Sequence, residues 1–418
     1  MASDAPPSRW FFLARPGAVL PRISPVAATA AFFLYLFHWG AGWGLTNWSL
    51  AVWRSMLVLS LLRSVWWTGR RSATWHPTPL DRLLLPAGGA LLLSAFGNTE
   101  RLTEAIVGWW FLGCSALLYL LVHDLLANRR LTLSQLADGL LLGAAVPLVH
   151  GLVTVVLRGG RAEALLENPN HYGGLMLVVL PLAVARFREE QSPRRILFAG
   201  LALAAFVGLC VSGCRGAMLG LMGMLWFAPR RVRWMGLGLS LPALLGAIWW
   251  RWETVAARMP VYRFAWEGIC NRPLLGNGLF TFRLWLPDHS EAFLHAHNAP
   301  LHVAYEVGAL GLIVFLVTAA VLAQASRRAG SSSRRGWQAA LLGVSLHQLV
   351  DVTWLFPMMF VVLPILLAAA TVRFDAEPRQ DSGRFATLLA MAWGLLIGVA
   401  LVSGGIAPEF FTLGGLQA

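Results

Sequence analysis

The chain has 418 residues, 57% hydrophobic and 13% charged, with a mean hydropathy of +0.63, a composition that excludes an ordinary soluble enzyme and points to a polytopic membrane protein. The formal charge of +13 comes from 33 Lys+Arg against 20 Asp+Glu. Because the basic residues cluster between apolar runs, as topology signals do, the charge argues against nucleic acid as a partner.

Taken in chain order, residues Met1 to Ser24 carry Arg9, Arg15 and Arg22 but no cleavable signal, which suits a cytoplasmic start. Apolar stretches long enough to span a bilayer follow near 26–44, 46–67, 83–98, 104–126, 134–157, 172–187, 196–213, 216–229 and 234–250. A polar loop then covers 251–298, and further stretches lie near 299–323, 337–354, 356–372 and 386–407. The expectation is an all-α polytopic membrane protein of about 12 or 13 transmembrane helices. It divides into an N-terminal helical part (1–250, about nine spans), a loop with amphipathic helical segments (251–298) and a C-terminal helical part (299–418).

Arginine clusters fall on alternate loops: Arg70-Arg71, Arg129-Arg130, Arg186 to Arg195, Arg230 to Arg233, Arg327 to Arg335 and Arg373 to Arg384. Those loops read as cytoplasmic. The opposite, outer side then receives 158–171, the turn at Arg215, the loop 251–298 and the turn near Asp351. The paired tryptophans Trp66-Trp67, Trp109-Trp110 and Trp249-Trp250 lie near span ends, as an aromatic belt does.

Candidate residues gather on that outer side. Arg215 stands between two apolar runs on the face where positive charge is disfavoured, and Gly213 and Gly216 leave room for a bulky anion. The outer loop adds Arg251, Arg258, Arg263, Arg272 and Arg283, whose guanidiniums suit phosphate because each offers a fixed fork of donors. An amphipathic helix resting on anionic headgroups explains the same arginines. His295 and His297 share one side of an extended segment. One of them can serve as a general base, or the pair as part of a zinc site with His289 or Glu291. Asn298 either orients a substrate hydroxyl or caps the next helix. His302 reads as a packed helix histidine, and Glu306 is an acid inside the same apolar run. Asn168-Pro-Asn170-His171 reads as a helix N-terminus with Asn-Pro turn chemistry. Asp351, near a span end, is a candidate partner for an arginine. Cys114, Cys210, Cys214 and Cys270 form no CxxC and no metal-ligand spacing.

Together, Arg215-Gly216, Arg263 with Trp266, Pro273 with Gly276-Asn277-Gly278, His297-Asn298, Glu306-Val307-Gly308 with Gly311, and Asn168-Pro169-Asn170 resemble the O-antigen ligase / O-antigen polymerase superfamily over roughly residues 160–370. The resemblance implies a fold like the C-type glycosyltransferases, in a Gram-negative inner membrane, with a larger periplasmic loop and the active site facing the periplasm. It implies transfer of a glycan from undecaprenyl diphosphate to a sugar of lipid A–core, inverting and metal-independent, without a cofactor. Its partners would be the undecaprenyl-diphosphate-linked glycan, lipid A–core and membrane lipids. Arg215 and Arg263 would hold the diphosphate and His297 would activate the acceptor hydroxyl. His295, Asn298, Asn168, Asn170, Arg258, Arg272, Arg283, Glu306 and Asp351 would line the substrate site. The turn Gly44 to Ser49 has no acid, unlike the metal-using members of the broader class. O-antigen polymerase and protein O-oligosaccharyltransferase use the same chemistry; a flippase for lipid-linked oligosaccharides is the alternative of another kind.

Overall fold

The computed structural model describes residues 24–39, 74–164, 168–282, 295–327, 330–353, 357–374 and 379–380. The expected spans near 46–67 and 386–407, the turn 44–49, and Arg283, His289 and Glu291 lie outside these. Each of the other expected spans coincides with a helix. The helices are α1 (Pro25–Trp39), α2 (Leu84–Gly97), α3 (Leu102–Ala127), α4 (Leu133–Arg158), α5 (Pro169–Glu189), α6 (Arg194–Ser212), α7 (Arg215–Met224) and α8 (Arg230–Trp250). There follow the short α9 (Trp252–Ala256), α10 (Met259–Asn271), α11 (Ala299–Ser326), α12 (Ser332–His347) and α13 (Pro357–Thr371). The one strand pairing among the described residues joins Thr74–Trp75 to Arg379–Gln380, antiparallel.

Four helices are long and apolar enough to cross a membrane (α4, α6, α8 and α11), and α1, α2, α13 and the second half of α3 are shorter apolar helices. The protein is therefore an all-α membrane protein by length and composition. Helix α5 is its centre. It packs against α4, α6, α7 and α12, and Leu175, Met176, Leu177, Val178 and Val179 are all fully buried, because a helix apolar all round can satisfy every face only by being surrounded. Glycines bring helices close, as in membrane packing. A Cβ on Gly220 of α7 would sit 2.5 Å from the Gly343 carbonyl oxygen of α12.

Local signals set the ends. The α4 start is a capping box, with Gln135 N donating to Thr132 Oγ1 (3.1 Å) and Thr132 N to Gln135 Oε1 (3.0 Å). At the arginine-cluster end, Arg186 Nε meets Asp138 Oδ1 at 2.6 Å and Glu189 accepts from Ser333, tying α4, α5 and α12 together.

Helix α11 is broken at Gly308 (φ 69°, ψ −164°). The segment 272–282 straps across the break: Asn277 N donates to the Tyr305 carbonyl (2.8 Å), Gly278 N to that of Glu306 (3.0 Å), and Ala309 N to that of Pro273 (2.8 Å). A break inside an apolar helix persists only when its freed polar groups find partners. Here the strap supplies them.

Candidate functional site

The segments leading into α5, α7 and α11 meet those leaving α8 and α12 at one end of the bundle. His297 has φ 47°, a left-handed conformation uncommon for a non-glycine residue. Asn298 returns to extended backbone and caps α11, its Oδ1 accepting from Leu301 N at 2.8 Å, while its Nδ2 donates to the Leu349 carbonyl at 2.8 Å. Ala299 N donates to the Gln348 carbonyl at 2.9 Å. The start of α11 is thus fastened to the turn after α12.

That fastening brings His297 to Asp351, with Nδ1 and Oδ1 3.1 Å apart. Asp351 Oδ1 also accepts from Val352 N (2.8 Å), and Oδ2 from Asn170 Nδ2 (2.8 Å). A carboxylate only accepts, so His297 Nδ1 is the donor in this pair and Nε2 is the ring's other nitrogen. Burial alone would raise the Asp351 carboxyl. The His297 hydrogen bond outweighs it and holds the group well below the usual carboxylate range. His295 stacks edge-on against His297, ring centroids 4.3 Å apart. Burial first, and then the neighbouring His297, hold its imidazole well below the ordinary value. His295 is therefore neutral near pH 7, and its Nδ1 accepts from His297 N at 3.4 Å.

Behind the carboxylate runs a further chain of polar contacts. Asn168 caps α5, its Oδ1 accepting from Asn170 N at 2.7 Å. Asn170 Oδ1 in turn accepts from Arg161 Nη2 at 3.3 Å, and Arg161 Nε donates to the Ser212 carbonyl at 2.6 Å.

Arginines border the pair. Arg215 Nη1 donates to the Arg251 carbonyl (3.0 Å) and Nη2 to Thr254 Oγ1 (2.6 Å), and Arg258 Nη1 donates to the Val350 carbonyl (2.5 Å). The charges of Arg258, Arg251 and Arg161 all act on the Arg215 guanidinium. Burial, and after it the charge of Arg251, push Arg161 below its ordinary value. Among the described residues no carboxylate forms an ion pair with any of these four arginines. The Glu163 charge acts on Arg161, yet four guanidiniums held together with no carboxylate in direct contact form a ready anion site.

The other expected site residues are placed elsewhere or do other work. Arg263 is exposed on the face of α10 opposite buried Val261 and Ala265, and its side chain has no partner among the described residues. Arg272 bonds Asn98 and lies 3.3 Å from Glu100, bracing the strap against the α2–α3 connection. Glu306 is buried in α11, 3.5 Å from His302 Nε2, and accepts from Phe282 N at 3.3 Å. Asp351 takes a histidine and an amide as partners, not an arginine. Asn168 and Asn298 act as caps.

His295, His297 and Asp351 hold three donor atoms within 4.8 Å of one another, with Asp351 where the sequence suggested His289 or Glu291. The surroundings fit a metal poorly. Asp351 already accepts from three N–H groups, and four nearby guanidiniums oppose a dication. Cys214 Sγ lies 3.4 Å from His347 Nε2. Burial, and then the Asp351 charge, push this thiol up to about 11, so it is protonated and no nucleophile. Sequence reasoning missed Arg161, although it stands on the same outer side that singled out Arg215. No family model matches the chain, and no curated protein matches it.

Proposed function

We propose that this chain is a glycosyltransferase of the O-antigen ligase kind, moving a glycan from undecaprenyl diphosphate to a sugar hydroxyl of lipid A–core at the periplasmic face of the inner membrane. The observation that carries the reading is the His297–Asp351 pair beside four guanidiniums that lack carboxylate partners, all at one end of an apolar helical bundle.

A glycosyl diphosphate already has a good leaving group, so the protein must position, neutralise and deprotonate. His297 Nε2 takes the proton of the acceptor hydroxyl, while Asp351 holds the ring in place and steadies the imidazolium that forms. The hydroxyl oxygen attacks the anomeric carbon from the face opposite the leaving group. The carbon–oxygen bond to the diphosphate breaks, and its electron pair leaves with the lipid diphosphate. Arg215 and Arg258, with Arg161 and Arg251 beside them, offset that charge. Exposed Arg263 can meet an anionic headgroup at the membrane surface.

The flippase reading draws on one observation, the break in α11. The Tyr305 and Glu306 carbonyls there accept from Asn277 N and Gly278 N.

The test combines purified protein, undecaprenyl-diphosphate-linked glycan and rough lipopolysaccharide. Wild type is expected to join them. His297→Ala should lower the rate by about 10²-fold or more, and Arg215→Lys should also be slow because a lysine has no fork of donors. Glycan that lengthens without lipopolysaccharide would make the protein a polymerase. Full activity of His297→Ala would sink the reading of the base.

A further inference from the structure

The contact between His297 and Asp351 is the near end of a longer chain. Asn170 places its amide between a cation and an anion: its oxygen accepts from Arg161 Nη2 (3.3 Å) and its nitrogen donates to Asp351 Oδ2 (2.8 Å). Arg161 is anchored in turn, through Nε, to the Ser212 carbonyl at the end of α6 (2.6 Å). The amide sits there because Asn168 and Pro169 fix the first turn of α5. The links cross three separate parts of the fold: the α4–α5 connection, the α5 N-terminus and the α12–α13 turn.

We propose that Arg161 is a positioning residue: acting through Asn170, it orients Asp351 towards His297 and moderates the negative charge the imidazole meets. The proposal rests on the reading of His297 as general base.

The physical argument concerns one carboxylate shared between two sides. Each oxygen of Asp351 has its own donors, so a donor on Oδ2 fixes the rotation that aims Oδ1 at Nδ1. An amide polarised by a neighbouring guanidinium is a stronger donor than a free one, and it draws charge away from Oδ1. Removing either link leaves the carboxylate free to turn and more negative towards His297.

Other charged and titratable groups surround the pair, and Glu163 acts on Arg161 from its own segment. His295 comes from the segment of His297, His171 from α5, His302 from α11, and His347 from α12 with Cys214 beside it. Arg215, Arg251 and Arg258 supply positive charge from α7 to α10. Asn170 is the donor on Asp351 Oδ2, and Arg161 stands behind Asn170.

The experiment uses the full chain in nanodiscs, with Arg161→Gln, Arg161→Lys and Asn170→Ala. The first readout is the pH–rate profile of transfer. Losing the moderating charge leaves the carboxylate more negative and favours the imidazolium, so more alkaline solution is needed to free the base. The acid limb should move up by roughly one pH unit in Arg161→Gln and Asn170→Ala. Arg161→Lys should recover little, because an ammonium cannot reach Ser212 and Asn170 with fixed forks. A merely structural role would lower the amplitude and leave the limb in place. The second readout is the low-field Nδ1 proton signal of His297, assigned by its loss in His297→Gln. It should broaden or shift in all three variants.

An unmoved limb together with an unchanged proton signal in Asn170→Ala and Arg161→Gln would overturn the proposal. If His297→Gln is fully active, the general-base reading fails, and the proton signal still decides whether Arg161 orients the pair. If Arg161→Gln does not fold, Asn170→Ala alone decides.

Discussion

His295 and His297 stand two residues apart, and residue type alone does not rank them as bases. The fold does. His297 meets Asp351, whereas His295 is buried and kept neutral. This difference predicts a pH effect on stability. The folded His295 refuses a proton that the unfolded chain accepts near pH 6.5. Its contribution is therefore complete above that value and declines as the pH falls below it. Asp351, held low, acts in the same direction at more acid pH: its contribution is present above the unfolded value near 3.9 and lost as the pH falls through its own depressed one. The melting temperature in detergent should fall between about pH 7 and pH 5, and His295→Gln should flatten that slope. An equally steep slope in the variant would remove His295 as the cause. The residue types of the site were legible from the sequence, because histidines, an asparagine and arginines beside apolar runs are hard to explain as scaffold. Their pairing was not. Arg272 and Glu306 carry the same chemistry as the site residues yet brace the strap.

At the scale of elements, hydropathy placed the helices within a few residues, because an apolar run must be helical to satisfy its own backbone. It did not foresee the break in α11 or the strap that crosses it. Gly308 takes a backbone conformation essentially reserved for glycine, and a Cβ there would lie 2.4 Å from the Leu274 carbonyl carbon. Gly276, facing it, would bring a Cβ to 2.5 Å from the Glu306 carbonyl carbon. The two backbones touch only because neither residue has a side chain. Gly308→Ala should therefore destabilise the protein by about 1–3 kcal/mol from backbone strain alone, measured by unfolding in mixed detergent. Transfer should weaken with it, since the strap leads on towards the segment that carries His297. An unperturbed unfolding midpoint would show that the strap can give way.

For the whole molecule, the alternation of arginine clusters separates two ends. One is tied by Arg186, Asp138 and Glu189, and the other holds His297, Asp351 and the arginine group. The proposed orientation can be read by labelling with a membrane-impermeant maleimide, with Cys210 and Cys270 changed to serine. Gly160→Cys should label in intact spheroplasts, and Gln191→Cys only after permeabilisation. The reverse pattern would place the site in the cytoplasm and end the periplasmic reading. What the sequence by itself determined is the membrane class, the helices and the end of the bundle that gathers the polar residues. A bilayer imposes those through local, additive rules on hydropathy and charge. Only the tertiary structure decided which polar residues work together. The partners of Asp351 are 54 and 181 residues away along the chain, and they meet because of how α5, α11 and α12 pack, which no local pattern encodes.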